Sequence, residues 1–373
     1  MDDAVFPAPV VGIVGQPKAA LDTPALLVDL DVMEGNIAKM AKTFRDNRVN
    51  WRPHTKGMKI PALAHRLVKA GAIGVTCAKL GEAEVMAAGG IGDILVANQI
   101  VGPVKIARLV NLQHHSNVMV AVDNWDNIQE IDAAAIAKGV RVRVLIEVNT
   151  GMNRAGTLPG QPTVDLAKKA ASLKGVKLAG LMTWEAHTLR ITDMAEKQKA
   201  IESAIATFVD TVEACRKAGV EIGIVSCGGT GTYWMTATQK GITEIQAGGG
   251  IFSDMLYRNS FGVQHPYAMT ILATVTSRPD PKRIICDAGK KTMTGDAAMP
   301  EPIGLGKVAG MALSAEHTII NLAEPSDKPK VGDKQEFVVG YSDTTVNLHD
   351  ELVGIRGGKV EVVWSILGRG KLK

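Results

Sequence analysis

Apolar positions along the chain fall into two regimes. Over the first two thirds, short apolar runs alternate with longer stretches whose apolar residues recur at helical spacing. The run Ala25 to Leu30 predicts a strand, and Asp31 stands where it would cap the helix that follows. From Val32 to Arg45 the apolar positions Val32, Met33, Ile37, Met40, Ala41 and Phe44 share one helical face. The rhythm then repeats. Strands are predicted from Asn50, and at Gly74 to Cys77, Asp93 to Val96, Asn117 to Val122, Arg141 to Val148, Leu178 to Trp184, Gly223 to Ser226 and Glu244 to Ala247. Helical patterns or loops lie between them. Counted from Ala25, this makes nine candidate strands, close to the eight of a closed (β/α)8 barrel of the TIM type. An open doubly wound sheet is the alternative, and the absence of GxGxxG after the first strand lowers it.

After about Pro266 the pattern changes to strands with turns between them. They are expected at Thr270 to Ser277, Arg283 to Asp287, Gly310 to Leu313, His317 to Leu322, Lys334 to Val339, Leu352 to Arg356 and Lys359 to Ile366. Breakers separate them at Arg278-Pro279-Asp280-Pro281, Pro325-Ser326-Asp327 and Gly357-Gly358. The expected organisation is an N-terminal arm over 1–22, a barrel over 23–265 and an all-β domain over 266–373.

Composition narrows the class. The 373 residues exceed one ordinary core, and 46% hydrophobic with 21% charged residues is the balance of a soluble globular protein. Aromatics make up only 4%, so the core must be aliphatic. A net charge of +4 without a Lys/Arg block gives no reason to expect nucleic acid. No apolar run is long enough to predict a membrane span. The start, Met1-Asp2-Asp3, lacks the basic and apolar regions of a signal peptide. Cys77, Cys215, Cys227 and Cys286 lie far apart with no CxxC pair, which points to reduced thiols in a cytoplasm.

The chemistry gathers at predicted strand ends. In Arg52-Pro53-His54-Thr55-Lys56, Pro53 fixes its own φ and pushes Arg52 toward an extended backbone. A helical pattern starts at about Pro61, so Lys56 falls near the C-terminal end of a strand, where α/β folds build their sites. A lysine there is either a solvated charge or an amine able to condense with an aldehyde cofactor. Two glycine-rich stretches follow the last barrel strands, Gly228-Gly229-Thr230-Gly231-Thr232 and Gln246-Ala247-Gly248-Gly249-Gly250. Such loops leave N–H groups uncovered to bind phosphate, or serve as tight turns. Two in succession at the barrel's end favour phosphate. Arg154, between glycines in Gly151-Met152-Asn153-Arg154-Ala155-Gly156, can offer a forked hydrogen bond to an anionic oxygen. Glu185 and His187 follow a strand together and form a candidate acid/base pair. In the β domain, Tyr341 to Asp350 is dense in polar groups, with Asp343, His349 and Asp350 as conceivable ligands of a divalent ion or as turn and capping residues.

Taken together, RPHTK at 52–56, GMNRAG at 151–156, GGTGT at 228–232, QAGGG at 246–250 and TVNLHD at 345–350 resemble the fold-type III pyridoxal-phosphate enzymes. This is the alanine racemase-like family, and the closer match is its branch of D-threonine aldolase, 3-hydroxy-D-aspartate aldolase and D-serine dehydratase. The resemblance spans nearly the whole chain. It implies that Lys56 binds pyridoxal 5'-phosphate covalently and that Arg154 meets the phenolic oxygen of the ring. It also implies that Gly229, Thr230, Gly231, Gly248 and Gly249 hold the phosphate, with His54 beside them. Gln246 falls where the racemases face the ring nitrogen with arginine. His187 lies in WEAH, in place of the family's YEGH. The metal-binding histidine of the aldolase branch corresponds to Tyr341, while the acidic ligand is kept as Asp343. The implied activity is Cα–Cβ cleavage of β-hydroxy-D-amino acids to glycine and an aldehyde, with His187 or Tyr341 in the chemistry. Magnesium or manganese at Asp343 is the possible second cofactor. β-Elimination to a keto acid, racemisation and a non-catalytic cofactor carrier are the alternatives. The family also implies a homodimer.

Overall fold

The computed structural model describes residues 12–373, so the first half of the expected N-terminal arm lies outside the described residues. The chain divides into two compact units. One holds Gly35–Pro266 with Leu367–Lys373; the other holds the described part of Met1–Glu34 with Tyr267–Ile366.

The strand β1, Ala25–Asp29, corrects the expected barrel count. It lies in the mainly-β unit, where it pairs antiparallel with Met269–Asp280 (Leu27 opposite Thr270) and parallel with Glu351–Arg356 (Leu27 opposite Val353). Its central residues are buried on both faces, which is why it reads as a continuous apolar run. The helix after it, Leu30–Asp46, is capped by Asp29 rather than Asp31: the Val32 N–H donates to Asp29 Oδ1 at 3.0 Å.

Eight parallel strands make the barrel unit: β2 (Asn50–Trp51), β3 (Val75–Cys77), β4 (Asp93–Gln99), β5 (Asn117–Val122), β6 (Val142–Glu147), β7 (Val176–Met182), β8 (Ile224–Cys227) and β9 (Glu244–Ile245). Their order is β2-β9-β8-β7-β6-β5-β4-β3. The two ends meet through a bridge between His54 and Thr76, supported by Thr76 N–H to Pro53 O at 2.9 Å and Thr55 N–H to Thr76 O at 2.7 Å. The segment that carries Lys56 therefore closes the barrel. Leu95, Met119, Ala121, Leu145 and Met182 form an aliphatic cluster from neighbouring strands, consistent with the scarcity of aromatics. The outer helices follow ordinary rules. In Trp125–Lys138, Asn124 accepts the Asn127 N–H, Ile128, Ile131 and Ala135 are buried, and Gly139 ends the helix at φ 66°. The C-terminal tail belongs to this unit and not to the β domain as expected. The Gly81 N–H donates to Lys373 O at 2.9 Å and the Gly368 N–H to Lys59 O at 3.0 Å.

Among the described residues, the second unit forms a nine-stranded sheet. Its long strand Met269–Asp280 runs through the expected breaker at 278–280, with register shifts after Val275 and Ser277 that absorb the proline. The final hairpin, Glu351–Arg356 with Lys359–Ser365, turns at Gly357-Gly358. Both glycines have positive φ (56° and 75°), as a two-residue hairpin of the primed type requires. The short strand Glu301–Pro302 and the one-turn helix Ser342–Thr345 were not visible in the pattern.

Candidate active site

The barrel unit brings the 52–56 segment and both glycine loops together. The His54 N–H donates to Gln246 O at 3.0 Å, and Trp51 Nε1 donates to Ala247 O at 2.7 Å. A Cβ on Gly248 would lie 2.0 Å from His54 O, so only glycine lets the second loop lie against this segment. Lys56 is half-buried, and its N–H donates to His54 Nδ1 at 3.3 Å. Burial, then the cations Lys56, Lys59 and Arg154, hold the His54 pKa well below its ordinary 6.5 and keep the ring neutral.

The glycine loops are tied to each other. The Gly250 N–H donates to Thr230 Oγ1 at 3.1 Å. The Trp184 indole covers Gly229, where a Cβ would lie 2.3 Å from the ring, and Tyr257 covers Gly249, where it would lie 2.5 Å from the hydroxyl. Among the described residues, the N–H groups of Thr230, Gly231, Gly248 and Gly249 meet no protein acceptor. Behind the loops, His265 Nδ1 lies 2.8 Å from Gly250 O and must donate to it. Its Nε2 then accepts from the Tyr233 hydroxyl at 2.7 Å. Burial lowers the His265 pKa to about 4 and raises that of Tyr233 to about 12, so both are neutral.

Glu185 and His187 do not form the expected pair. Glu185 is fully buried and turned to the first glycine loop, where it accepts from Thr232 Oγ1 (2.7 Å), Thr236 Oγ1 (2.7 Å) and the Gly228 N–H (3.2 Å). His187 is exposed, and its ring lies over Gly151, where a Cβ would be 2.9 Å from it. Two strand-end loops thus meet at His187, but its partner in sequence serves as an anchor. Arg154 in the same loop is 3.8 Å from Glu147, which also takes a hydrogen bond from Gln99 Nε2 at 2.6 Å. Burial raises the Glu147 pKa against the opposing effects of Gln99 and Arg154.

Gln246 is buried and donates through Nε2 to Ser226 Oγ at 2.9 Å. Ser226 Oγ lies 2.8 Å from Glu244 Oε1, and Glu244 Oε2 accepts Arg52 Nε at 2.9 Å. Sequence reading missed Ser226, Glu244, Trp184 as a ring cover, Tyr257 and His265, and took Glu185 for chemistry rather than an anchor. For Ser226, Glu244 and Glu185 a signal existed: a polar residue inside or just after an apolar strand has to be matched in the interior.

Tyr341 and Asp343 belong to the mainly-β unit. The Tyr341 hydroxyl donates to Asp343 Oδ2 at 2.6 Å, Asn347 Nδ2 donates to Asp343 O at 3.1 Å, and His349 Nε2 donates to Thr292 O at 2.7 Å. Among the described residues, no three His, Cys, Asp or Glu side chains gather where they could hold a metal ion. The phenol is a poor metal ligand near neutral pH, and its proton goes to the Asp343 carboxylate.

Residues 28–255 match the family described as alanine racemase, N-terminal domain. The chain belongs to that family. Residues 268–355 match a putative serine dehydratase domain. The chain is 33% identical to a D-threonine aldolase of Arthrobacter sp. over 95% of both chains. It is 32% identical to a 3-hydroxy-D-aspartate aldolase of Paracoccus denitrificans, covering 96% of this chain and 94% of that one. A crystal structure of D-threonine aldolase from Filomicrobium marinum superposes with a TM-score of 0.94 at 34% identity, over 96% of this chain and 99% of that one. The alanine racemase-like family works with pyridoxal 5'-phosphate. The residues present fit it: an amine at a strand end, and uncovered N–H groups on paired glycine loops for its phosphate.

Proposed function

We propose that the protein is a pyridoxal-phosphate-dependent lyase that cleaves the Cα–Cβ bond of β-hydroxy-D-amino acids, giving glycine and an aldehyde. The observation that carries this is the joining of Lys56's segment to two glycine loops whose N–H groups are uncovered, in a chain similar to D-amino-acid aldolases throughout its length. Lys56 Nζ holds the cofactor. Thr230, Gly231, Gly248 and Gly249 donate N–H groups to its phosphate, with Gly229 leaving room for the Trp184 cover. His54 stays neutral beside Lys56. Arg154, oriented by Glu147, meets the phenolic oxygen, and Gln246 faces the ring nitrogen. The bound cofactor supplies an electron sink for the charge left at Cα. His187 is exposed and free to reach a substrate; it would take the proton from the β-hydroxyl as the Cα–Cβ bond breaks, and a proton returned to Cα completes glycine.

Tyr341 and Asp343 enter through the family resemblance alone. Their hydrogen bond favours a role for the phenol without a metal, so no step is assigned to magnesium or manganese. A homodimer follows from the same resemblance, and gel filtration at the size of one chain with full activity would contradict it. A cytoplasmic location is supported by four separate, buried, unpaired cysteines. No helix among the described residues is long and apolar enough to cross a membrane.

β-Elimination is the second reading, favoured by the match of residues 268–355 to a putative serine dehydratase domain. The test of the cofactor assignment is Lys56→Ala. The variant is expected to lose both the absorbance that the covalently held cofactor gives near the visible edge and the activity. A variant that keeps both removes Lys56 from the role.

A further inference from the structure

The Gln246 amide is not free to choose its orientation. Glu244 is an acceptor only: Arg52 Nε donates to one oxygen at 2.9 Å, and the other is 2.8 Å from Ser226 Oγ. Arg52 also pairs with Asp93, which in turn receives Arg143 at 2.8 Å, so two guanidinium groups balance two carboxylates. With its charge matched, Glu244 keeps its acceptor character, and the single hydroxyl proton of Ser226 must go to it. Ser226 Oγ is left to accept, so the atom of Gln246 that lies 2.9 Å away is the NH2 nitrogen. A flipped amide would set two acceptors against each other. Ser226 is 0% exposed, Glu244 1%, Arg52 2% and Gln246 7%, so bulk water does not compete for these bonds.

We propose that Ser226 and Glu244 are positioning residues that hold the Gln246 amide with its carbonyl oxygen, and not its NH2, toward the cofactor's ring nitrogen. This rests on the assignment of Gln246 to the ring nitrogen made above. A carbonyl oxygen can only accept a hydrogen bond, so it favours the ring that carries a proton on nitrogen. A donor at the same place would favour the unprotonated ring. The relay thus sets the ring's protonation, and with it the strength of the electron sink, from a buried charge network two side chains away.

The test uses holoenzyme loaded with pyridoxal 5'-phosphate labelled with 15N in the ring. The 15N chemical shift reports the protonated fraction directly, without turnover. Wild-type protein is expected to show a protonated ring. Ser226→Ala frees the amide to turn, and the ratio of protonated to unprotonated ring should fall by about tenfold, one unit of pKa. Ser226→Thr keeps the hydroxyl and should restore the wild-type signal, which separates loss of the relay from loss of packing. Gln246→Leu checks the underlying assignment. If Gln246→Leu leaves the signal unmoved, Gln246 does not face the ring nitrogen and the assignment fails. If Gln246→Leu moves it but Ser226→Ala does not, the assignment stands and the relay is overturned. An unprotonated ring in wild-type protein overturns the relay as well.

Discussion

Single residues carry much of this site, and glycine positions carry it most sharply. Gly248 lets the second glycine loop touch the backbone of His54, with no room for one methyl group. Gly248→Ala should therefore push the 52–56 segment off its place. Destabilisation of roughly 1–3 kcal/mol is expected from such overpacking, with a larger loss of cofactor affinity. Thermal melts and cofactor titration read the two effects. His265 gives a pH signature. Its folded pKa of about 4 lies below the ordinary value of 6.5, because burial disfavours the charged ring. The unfolded chain then binds the extra proton between those values. Its contribution is complete above about pH 6.5 and declines as the pH falls toward 4, by at most about 3 kcal/mol. His265→Asn keeps a donor for Gly250 O without the titration. Urea melts of the variant at pH 5 and pH 7.5 should differ less than those of wild-type protein. Of the candidate site, the strand-end position of Lys56 and the two glycine loops were legible in sequence, because strand-end loops and glycine clusters are local features. Glu185 was read as chemistry and is an anchor, because the partners of its carboxylate lie more than forty residues further along the chain.

At the scale of elements, the first glycine loop and the short helix after it, Tyr233–Thr236, hang on Glu185. Glu185→Ala leaves two hydroxyls and an N–H without their acceptor in a dry interior. It should cost roughly 2–3 kcal/mol and weaken cofactor binding, with faster hydrogen exchange over 228–236. Unchanged exchange there would detach Glu185 from the loop. Strand β1 makes the opposite lesson. Its apolar run was legible, but its sheet was not: a run buried on both faces looks the same in a parallel barrel and at the centre of a mixed sheet. Pairing decides, and pairing is non-local. Leu27→Pro should unfold the mainly-β unit, because position 27 is paired on both sides, with Thr270 and Val353. A melt close to that of wild-type protein would contradict the assignment of β1. The continuation of the long strand through Pro279 was hidden for a related reason. Local breaker chemistry predicted a turn, and register shifts in the sheet accommodated it.

For the molecule as a whole, a barrel unit with a lysine at its closing segment and a mainly-β unit after it is the arrangement of the alanine racemase-like family, and the likeness to D-threonine aldolase extends over nearly the full chain. In the mainly-β unit, the Tyr341 hydroxyl donates to Asp343 Oδ2 at 2.6 Å. The fate of the β-hydroxyl separates the possible reactions: it loses its proton in aldol cleavage and leaves as water in elimination. The most direct measurement is product analysis after incubation of the purified holoenzyme with D-threonine. Acetaldehyde and glycine in equal amounts are the predicted result. 2-Oxobutanoate with ammonia, or L-configured threonine isomers, would contradict it.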